Sequence, residues 1–103
     1  MQYTSALSDD TVKTGDIRLH GPEGFDGMRR AGRLAAECLD MIADHVRPGV
    51  TTGQLDDRIR RFVFDHGALS ATIGYRGYRH ASCISLNHVI CHGIPSEKRI
   101  TDG

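Results

Sequence analysis

Apolar residues recur at alternating intervals of three and four along the segment that follows Pro22. Charged side chains fill many of the positions between them, which is the periodicity of one face of an α-helix. Pro22 suits a first helical turn, and Arg47-Pro48-Gly49 predicts the helix end because a residue before proline avoids helical backbone angles. One long amphipathic helix is therefore predicted, with its apolar face in a core rather than in a coiled-coil seam. The apolar positions are Phe25, Met28, Gly32, Ala35, Leu39, Ile42 and Val46.

A second helix is predicted to begin after Thr51 and to run to Gly67. Thr51 and Gln54 have the spacing of a capping box, in which two side chains satisfy free N–H groups at a helix start. One face of this helix is mostly apolar. It comprises Leu55, Ile59, Phe62, Val63 and His66.

The remaining pattern predicts short strands. Residues 71–73 are a strand candidate, and residues 83–86 alternate in polarity before Asn87-His88 turns the chain into residues 89–92. That arrangement is typical of a β-hairpin, and Asn87 tolerates the left-handed conformation that such a turn requires. The order helix, helix, hairpin predicts an α+β fold with antiparallel strands.

The 103 residues provide for one small domain. Residues 1–20 carry few large apolar side chains, so we predict a flexible amino-terminal arm and a domain over residues 21–103. Thirteen basic residues balance thirteen acidic ones, which argues against nucleic acid as the main partner. No apolar run approaches the ~18 residues of a membrane span, and no secretory signal is visible. We expect a soluble, cytoplasmic protein with three reduced cysteines and no membrane partner.

His92 is the leading candidate for chemistry, because it follows a strand candidate and precedes a glycine. An imidazole there can project toward a pocket and exchange a proton near neutral pH. The alternative is a histidine whose two nitrogens are satisfied by backbone groups. We expect the other histidines in loops, His20, His80 and His88, to be exposed.

The cysteines and histidines of residues 80–92 have poor spacing for zinc. Structural zinc sites pair ligands two to four residues apart, whereas Cys83 and Cys91 are eight apart. A catalytic cysteine also lacks a visible orienting group, so small buried thiols are the simpler interpretation. Tyr75 and Tyr78 flank Gly77 and can wall a slot for an apolar side chain, although surface tyrosines in a turn are common. Arg76 is most simply a solvated charge.

Four segments together resemble bacterial type I methionine aminopeptidase in order and spacing. The resemblance runs from about Pro22 to Gly103 and covers what looks like the amino-terminal half of that enzyme. Each motif is weak alone, and four in register are specific. The segments are Met28–Ala36, Pro48–Thr52, Gly74–Tyr78 and Cys91–Pro95.

The resemblance implies the pita-bread fold of metal-dependent aminopeptidases, in which two related αβ halves enclose a two-metal site. It implies removal of the amino-terminal methionine from nascent proteins by metal-dependent hydrolysis. The partners would be peptide or nascent-protein amino termini beginning with Met, with the ribosome as a further candidate, and the complete enzyme would be monomeric. The alternative is a non-catalytic relative of this fold that binds peptide amino termini or a protein partner.

The resemblance also implies roles by position. Tyr75, Tyr78 and Cys83 would line the pocket for the methionine side chain, with Thr72 where relatives often carry cysteine. His92 would contact the substrate near the scissile amide and act as the catalytic residue. Arg79 stands where many relatives have proline, which leaves the rigidity of the pocket loop open.

The family uses one or two divalent ions of the Co, Mn, Fe or Zn type. It holds them with two aspartates, one histidine and two glutamates, and the first aspartate follows an Asp-Gly pair that resembles Asp102-Gly103. We therefore expect no metal ligand within residues 1–103, and no hydrolysis by these residues alone.

Overall fold

A computed structural model describes residues 2–5 and 16–103 of the chain. Its elements are strands β1 (Gln2–Ser5) and β2 (Asp16–Leu19), helices α1 (Pro22–Ala43) and α2 (Thr52–Asp65), and a 3₁₀ turn at Tyr75–Gly77. The chain divides into two units, Met1–Arg33 and Leu34–Gly103. Within the described residues, no helix is both long and apolar enough to cross a membrane.

The first unit contains β1 and β2, which pair in parallel. Gln2 lies opposite Asp16, and Ser5 lies opposite Leu19. The predicted flexible arm over residues 1–20 falls largely on residue 1 and residues 6–15, which lie outside the described residues. The flexibility of the arm stays a prediction.

Helix α1 begins at Pro22, as predicted, and it ends at Ala43, before the predicted end at Arg47-Pro48-Gly49. After the last turn of α1 a hydrogen bond spans three residues instead of four, since the His45 N–H donates to the Ile42 carbonyl over 2.9 Å. Ile42 is buried together with Cys38, whereas the side chains of Met28 and Leu39 are 73% and 68% exposed. The long helix is confirmed. The prediction that its whole apolar face packs in a core is wrong for the described residues.

Helix α2 has a fully satisfied amino terminus. Thr51 and Gln54 form the predicted capping box, in which the Thr51 hydroxyl accepts from the Gln54 N–H over 3.0 Å and the Gln54 side chain accepts from the Thr51 N–H over 2.9 Å. The next free donors, the N–H groups of Thr52 and Gly53, donate to the carbonyls of Lys98 and Ser96 over 3.1 and 2.7 Å. Free N–H groups at a helix start need such partners. The returning segment 96–100 is therefore joined to the start of α2.

The predicted β-hairpin over residues 83–92 is wrong. Its ends meet through one backbone bond, from the Ile84 N–H to the Gly93 carbonyl over 2.8 Å, and no strand is assigned there. The Gly93 N–H instead donates to the Ser85 hydroxyl over 3.1 Å. A local side chain thus replaces the ladder partner. The turn itself occurs, with Asn87 in the left-handed region at φ 53°.

The strand predicted over residues 71–73 is wrong for a related reason. These residues form a turn, closed by the Ile73 N–H donating to the Ser70 carbonyl over 3.2 Å. The hydroxyls of Ser70 and Thr72 bond to the carbonyls of Ala81 and His80. Hydroxyl side chains that bind backbone in this way compete with strand pairing.

The buried residues of the second unit come from four places in its sequence. Among the described residues, the buried apolar side chains are Cys38, Ile42, Leu55, Ala81 and Pro95, and the buried polar ones are Thr52 and Asp56. Burial raises the pKa of the Cys38 thiol. Cys38 is buried, whereas Cys83 and Cys91 are exposed, so the expectation that the latter two are buried thiols is wrong.

We predict that Gly53→Ala destabilises the 103-residue chain although alanine is the better helix former. A Cβ at this position would lie 2.9 Å from the Ser96 carbonyl oxygen, so the bond that joins α2 to Ser96 must shift. We expect a net loss of about 1 kcal/mol in unfolding free energy, measured by urea denaturation. Gly32→Ala is the control, because a Cβ there meets nothing within 4 Å. It should raise the unfolding free energy by about 0.5–1 kcal/mol. Equal gains in both variants would contradict the prediction.

Candidate functional site

The five residues predicted to form the site line one cavity. Thr72, Tyr75, Tyr78, Cys83 and His92 surround a space of about 640 Å³, together with Ala71, Arg76 and Gly77. Its lining is mostly apolar, and its volume lies within the range of small-molecule sites. Segments far apart in sequence therefore meet at one concave surface. The roles assigned to these residues stay predictions.

The loop of residues 74–78 forms one wall of the cavity. The Gly74 N–H donates to the Tyr78 carbonyl over 2.7 Å and closes the loop. Gly74, Arg76 and Gly77 all have positive φ, at 84°, 49° and 81°. Only glycine adopts this region freely, so the loop is held in its shape by its surroundings.

Arg76 was expected to be a solvated charge, and its side chain also lines the cavity. Its guanidinium carbon lies 5.3 Å from the centre of the Tyr75 ring, which is within cation–π range. The left-handed backbone conformation of Arg76 could not be predicted from the sequence, because arginine has no preference for that region. A cationic group thus lies beside an otherwise mostly apolar cavity.

The Tyr78 hydroxyl makes two hydrogen bonds, one as donor and one as acceptor. The hydroxyl donates to the Ser82 carbonyl over 2.7 Å and accepts from the Cys83 thiol over 3.7 Å. Burial, and after it the hydrogen bond and charge of Cys83 and the charge of Asp56, raise the pKa of Tyr78 to about 12. The phenol therefore stays protonated at neutral pH and remains a donor.

The hydroxyl of Thr72 contributes to the structure of the cavity wall. It donates to the His80 carbonyl over 2.7 Å and lies 3.0 Å from the Ser70 hydroxyl. Ser70 in turn donates to the Ala81 carbonyl over 2.6 Å. Two hydroxyls thus hold the backbone of residues 80 and 81 against the turn at 70–73.

His92 is exposed and has a left-handed backbone at φ 56°. Within the described part of the chain, its ring has one polar contact, from Nδ1 to the Cys91 thiol at 3.8 Å. The alternative in which backbone groups satisfy both nitrogens is not what the structure shows. Next to it, a Cβ at Gly93 would overlap the Ile84 carbonyl oxygen, so glycine is required where the chain passes Ile84.

Asp56 is the site-related residue that the sequence analysis missed. Its side chain is 2% exposed, and its carboxylate accepts from the Ser82 hydroxyl over 2.6 Å and from the Ala81 N–H over 3.2 Å. A signal was present. Asp56 precedes Ile59 by three and Val63 by seven residues, which places a carboxylate on the apolar face of α2.

His80 was expected to be exposed, and this is wrong. Its side chain is 35% exposed, and Nδ1 lies 3.5 Å from Asp56 Oδ2. The Tyr78 ring packs against it at 5.5 Å between centroids. The exposed histidines of this unit do not join it in a cluster. Among the described residues, no group of three or more His, Cys, Asp or Glu side chains could hold a metal ion.

A second concavity is cationic and lies away from the predicted residues. It measures about 310 Å³ and is lined by His45, Arg47, Val50, Gln54 and Arg58. It shares no lining residue with the cavity of Tyr75, Tyr78 and His92. The cavity of residues 71–92 is therefore the candidate functional site.

Comparison with known proteins identifies relatives of one kind. The profile of metallopeptidase family M24 matches residues 26–103. Methionine aminopeptidase of Rickettsia prowazekii is 47% identical over 87 residues, covering 84% of this chain and 34% of that protein. Methionine aminopeptidase of Escherichia coli K12 is 48% identical over 89 residues, with the same two coverages. Methionine aminopeptidase A of Synechocystis is 51% identical over 84 residues, 82% of this chain and 33% of that protein.

The crystal structure of methionine aminopeptidase from Rickettsia prowazekii matches with a TM-score of 0.81. The match is 47% identical and covers 84% of this chain and 35% of that one. This likeness confirms the predicted relationship to the pita-bread aminopeptidases, without the hairpin. The chain spans about a third of the length of the curated relatives it matches.

We predict that Tyr78 makes stability depend on pH above its ordinary pKa of 10.0. Because the folded state holds the Tyr78 proton more tightly than the unfolded state, its contribution is complete below pH 10 and is lost as pH rises toward about 12. The measurement is the melting temperature of the 103-residue chain from pH 9 to the highest pH at which it stays folded. Tyr78→Phe should show a smaller decline over this window than the parent. An identical decline in both proteins would contradict the assignment.

Proposed function

The chain belongs to metallopeptidase family M24, and from this premise we propose that it provides the substrate-binding part of a methionine aminopeptidase. The reaction would be hydrolysis of the peptide bond after an amino-terminal methionine. The observation that carries the proposal is the meeting of Thr72, Tyr75, Tyr78, Cys83 and His92 at one mostly apolar cavity.

The cavity has the chemistry that a methionine side chain needs. Methionine is long, unbranched and apolar, and its sulfur makes favourable contacts with aromatic rings. Tyr75 and Tyr78 offer two rings, and the Cys83 thiol adds a polarisable group. The Tyr78 hydroxyl is already bonded to Ser82, so its ring can face an apolar ligand without leaving a polar group unpaired.

His92 is proposed as the catalytic residue of this part of the site. Its ring lines the same cavity, and its single contact to Cys91 leaves Nε2 without a partner among the described residues. An imidazole N–H there can donate to the carbonyl oxygen of the scissile amide. Such a donor stabilises the negative charge that develops as the carbonyl is attacked.

The family is one of metallopeptidases, and a divalent ion, when bound, would supply an acidified water as nucleophile. The described residues do not form a metal site of their own, so we propose that other residues hold the ion. The part played by residues 70–93 is to bind the amino-terminal side chain and to orient the peptide bond. We further propose a cytoplasmic, monomeric enzyme that acts on nascent proteins near the ribosome.

The test uses a polypeptide in which residues 1–103 are joined to the metal-binding residues proposed above, called the full chain from here on, and measures release of methionine from the peptide Met-Ala-Ser with added Mn²⁺ or Co²⁺. We expect release from this peptide and none from its N-acetylated form. His92→Ala should lower kcat about 100-fold, as loss of one donor to a developing charge does. His88→Ala is the matched control, because it removes an exposed histidine of the same segment that does not line the cavity.

The outcomes separate the proposal from its rival. Equal activities of the His92 and His88 variants would overturn the role of His92. Absence of hydrolysis, with saturable binding of Met-Ala-Ser that Tyr78→Ala removes, would favour a non-catalytic module for peptide amino termini. A polypeptide of residues 1–103 alone should release no methionine, since these residues are proposed to lack the metal site.

A further inference from the structure

Asp56 is a buried carboxylate one turn into α2. Its side chain is 2% exposed, and it is the largest side chain buried to this degree among the described residues. Burying a charge is costly unless several donors reach it. A carboxylate in such a place is therefore retained for a structural or functional reason.

The partners of Asp56 all belong to one short segment. Oδ1 accepts from the Ser82 hydroxyl over 2.6 Å, while Oδ2 accepts from the Ala81 N–H over 3.2 Å and lies 3.5 Å from His80 Nδ1. Three consecutive residues are thus held by two oxygens of one side chain. No neutral side chain of the same size can accept at both oxygens.

Residues 80–82 are connected to three residues of the cavity wall. The Ser82 carbonyl accepts from the Tyr78 hydroxyl, and Cys83 follows directly and donates to the same hydroxyl. On the other side, the His80 carbonyl accepts from the Thr72 hydroxyl. A shift of residues 80–82 would therefore move Thr72, Tyr78 and Cys83 together.

We propose that Asp56 is a positioning residue that sets the width of the methionine pocket through the backbone of residues 80–82. Asp56 does not line the cavity, and it acts on the substrate only through Tyr78, Thr72 and Cys83. This inference rests on the proposed function, because it assigns the cavity to the methionine side chain.

The role of Asp56 makes a kinetic prediction. A wall that binds the side chain equally in the ground state and in the transition state affects KM more than kcat. Asp56→Asn keeps the size of the side chain but places an NH₂ against a donor. We expect KM for Met-Ala-Ser to rise about tenfold in the full chain, with kcat little changed, because one buried donor is left unpaired.

Asp57→Asn is the matched control. Asp57 is the next residue of the same helix and is exposed, and the substitution removes the same charge. It should leave both KM and kcat at parent values. Ser82→Ala is a second test, since it removes the hydrogen bond to Asp56 Oδ1 without placing a new donor beside Asp56. Its KM should lie between those of the parent and Asp56→Asn, and it decides the matter if Asp56→Asn does not fold.

A readout independent of catalysis separates this inference from the proposed function. The pKa of Tyr78 is followed in the full chain by the ring-carbon NMR signal of ¹³C-labelled tyrosine, assigned with Tyr78→Phe. In the parent we expect the midpoint at about 12. Asp56→Asn should lower it, because both the charge of Asp56 and the fixed position of Ser82 are lost, while Asp57→Asn should not.

If the parent releases no methionine, the proposed function fails and the Tyr78 titration alone decides whether Asp56 positions the wall. Lowering of the Tyr78 midpoint by Asp56→Asn alone, together with the rise in KM, supports the inference. A folded Asp56→Asn variant with parent KM and parent midpoint would overturn it. So would an equal response of Asp57→Asn.

Discussion

The second unit depends on one buried carboxylate. Asp56 accepts from the Ala81 N–H and the Ser82 hydroxyl, and the cost of removing its charge from water is offset only while both donors stay in place. The backbone of residues 81 and 82 must therefore lie at a fixed position beside α2. The cavity exists because Tyr78 and Thr72 then bond to the carbonyls of that same loop.

A second constraint acts where the chain returns to the start of α2. The free N–H groups of Thr52 and Gly53 need acceptors, and Lys98 and Ser96 provide them. The approach is so close that only glycine fits at residue 53. Gly93 has the same role against Ile84. With few buried apolar residues in the described chain, these backbone contacts determine much of the path from residue 80 to residue 100.

Periodicity and capping were sufficient to predict both helices, because a 3.6-residue repeat and the Thr51–Gln54 pair are local features. The prediction of strands was wrong. The polarity of residues 83–92 alternates in the same way whether their backbone groups pair as a hairpin or the Ser85 hydroxyl accepts from the Gly93 N–H instead. The prediction of burial along α1 was wrong, since the periodicity of apolar residues indicates that a helix has an apolar face and does not indicate what covers that face. The cavity residues came from resemblance. Asp56 was missed because its partners lie 25 and 26 positions away.

The backbone strain in this chain is located where the cavity is. Three residues other than glycine have positive φ, namely Arg76, Asn87 and His92, among the described residues. Asn87 forms a turn and is a residue type that tolerates this conformation. His92 is also of a type found there more often than most, whereas Arg76 has no such tolerance, and a non-glycine residue held in this region costs about 1–3 kcal/mol. Both line the cavity. A β-conformation at either residue would point its side chain elsewhere, so the strain is the cost of directing a guanidinium and an imidazole at one space. Backbone strain of this kind clusters at ligand sites, which agrees with the cavity as the candidate functional site.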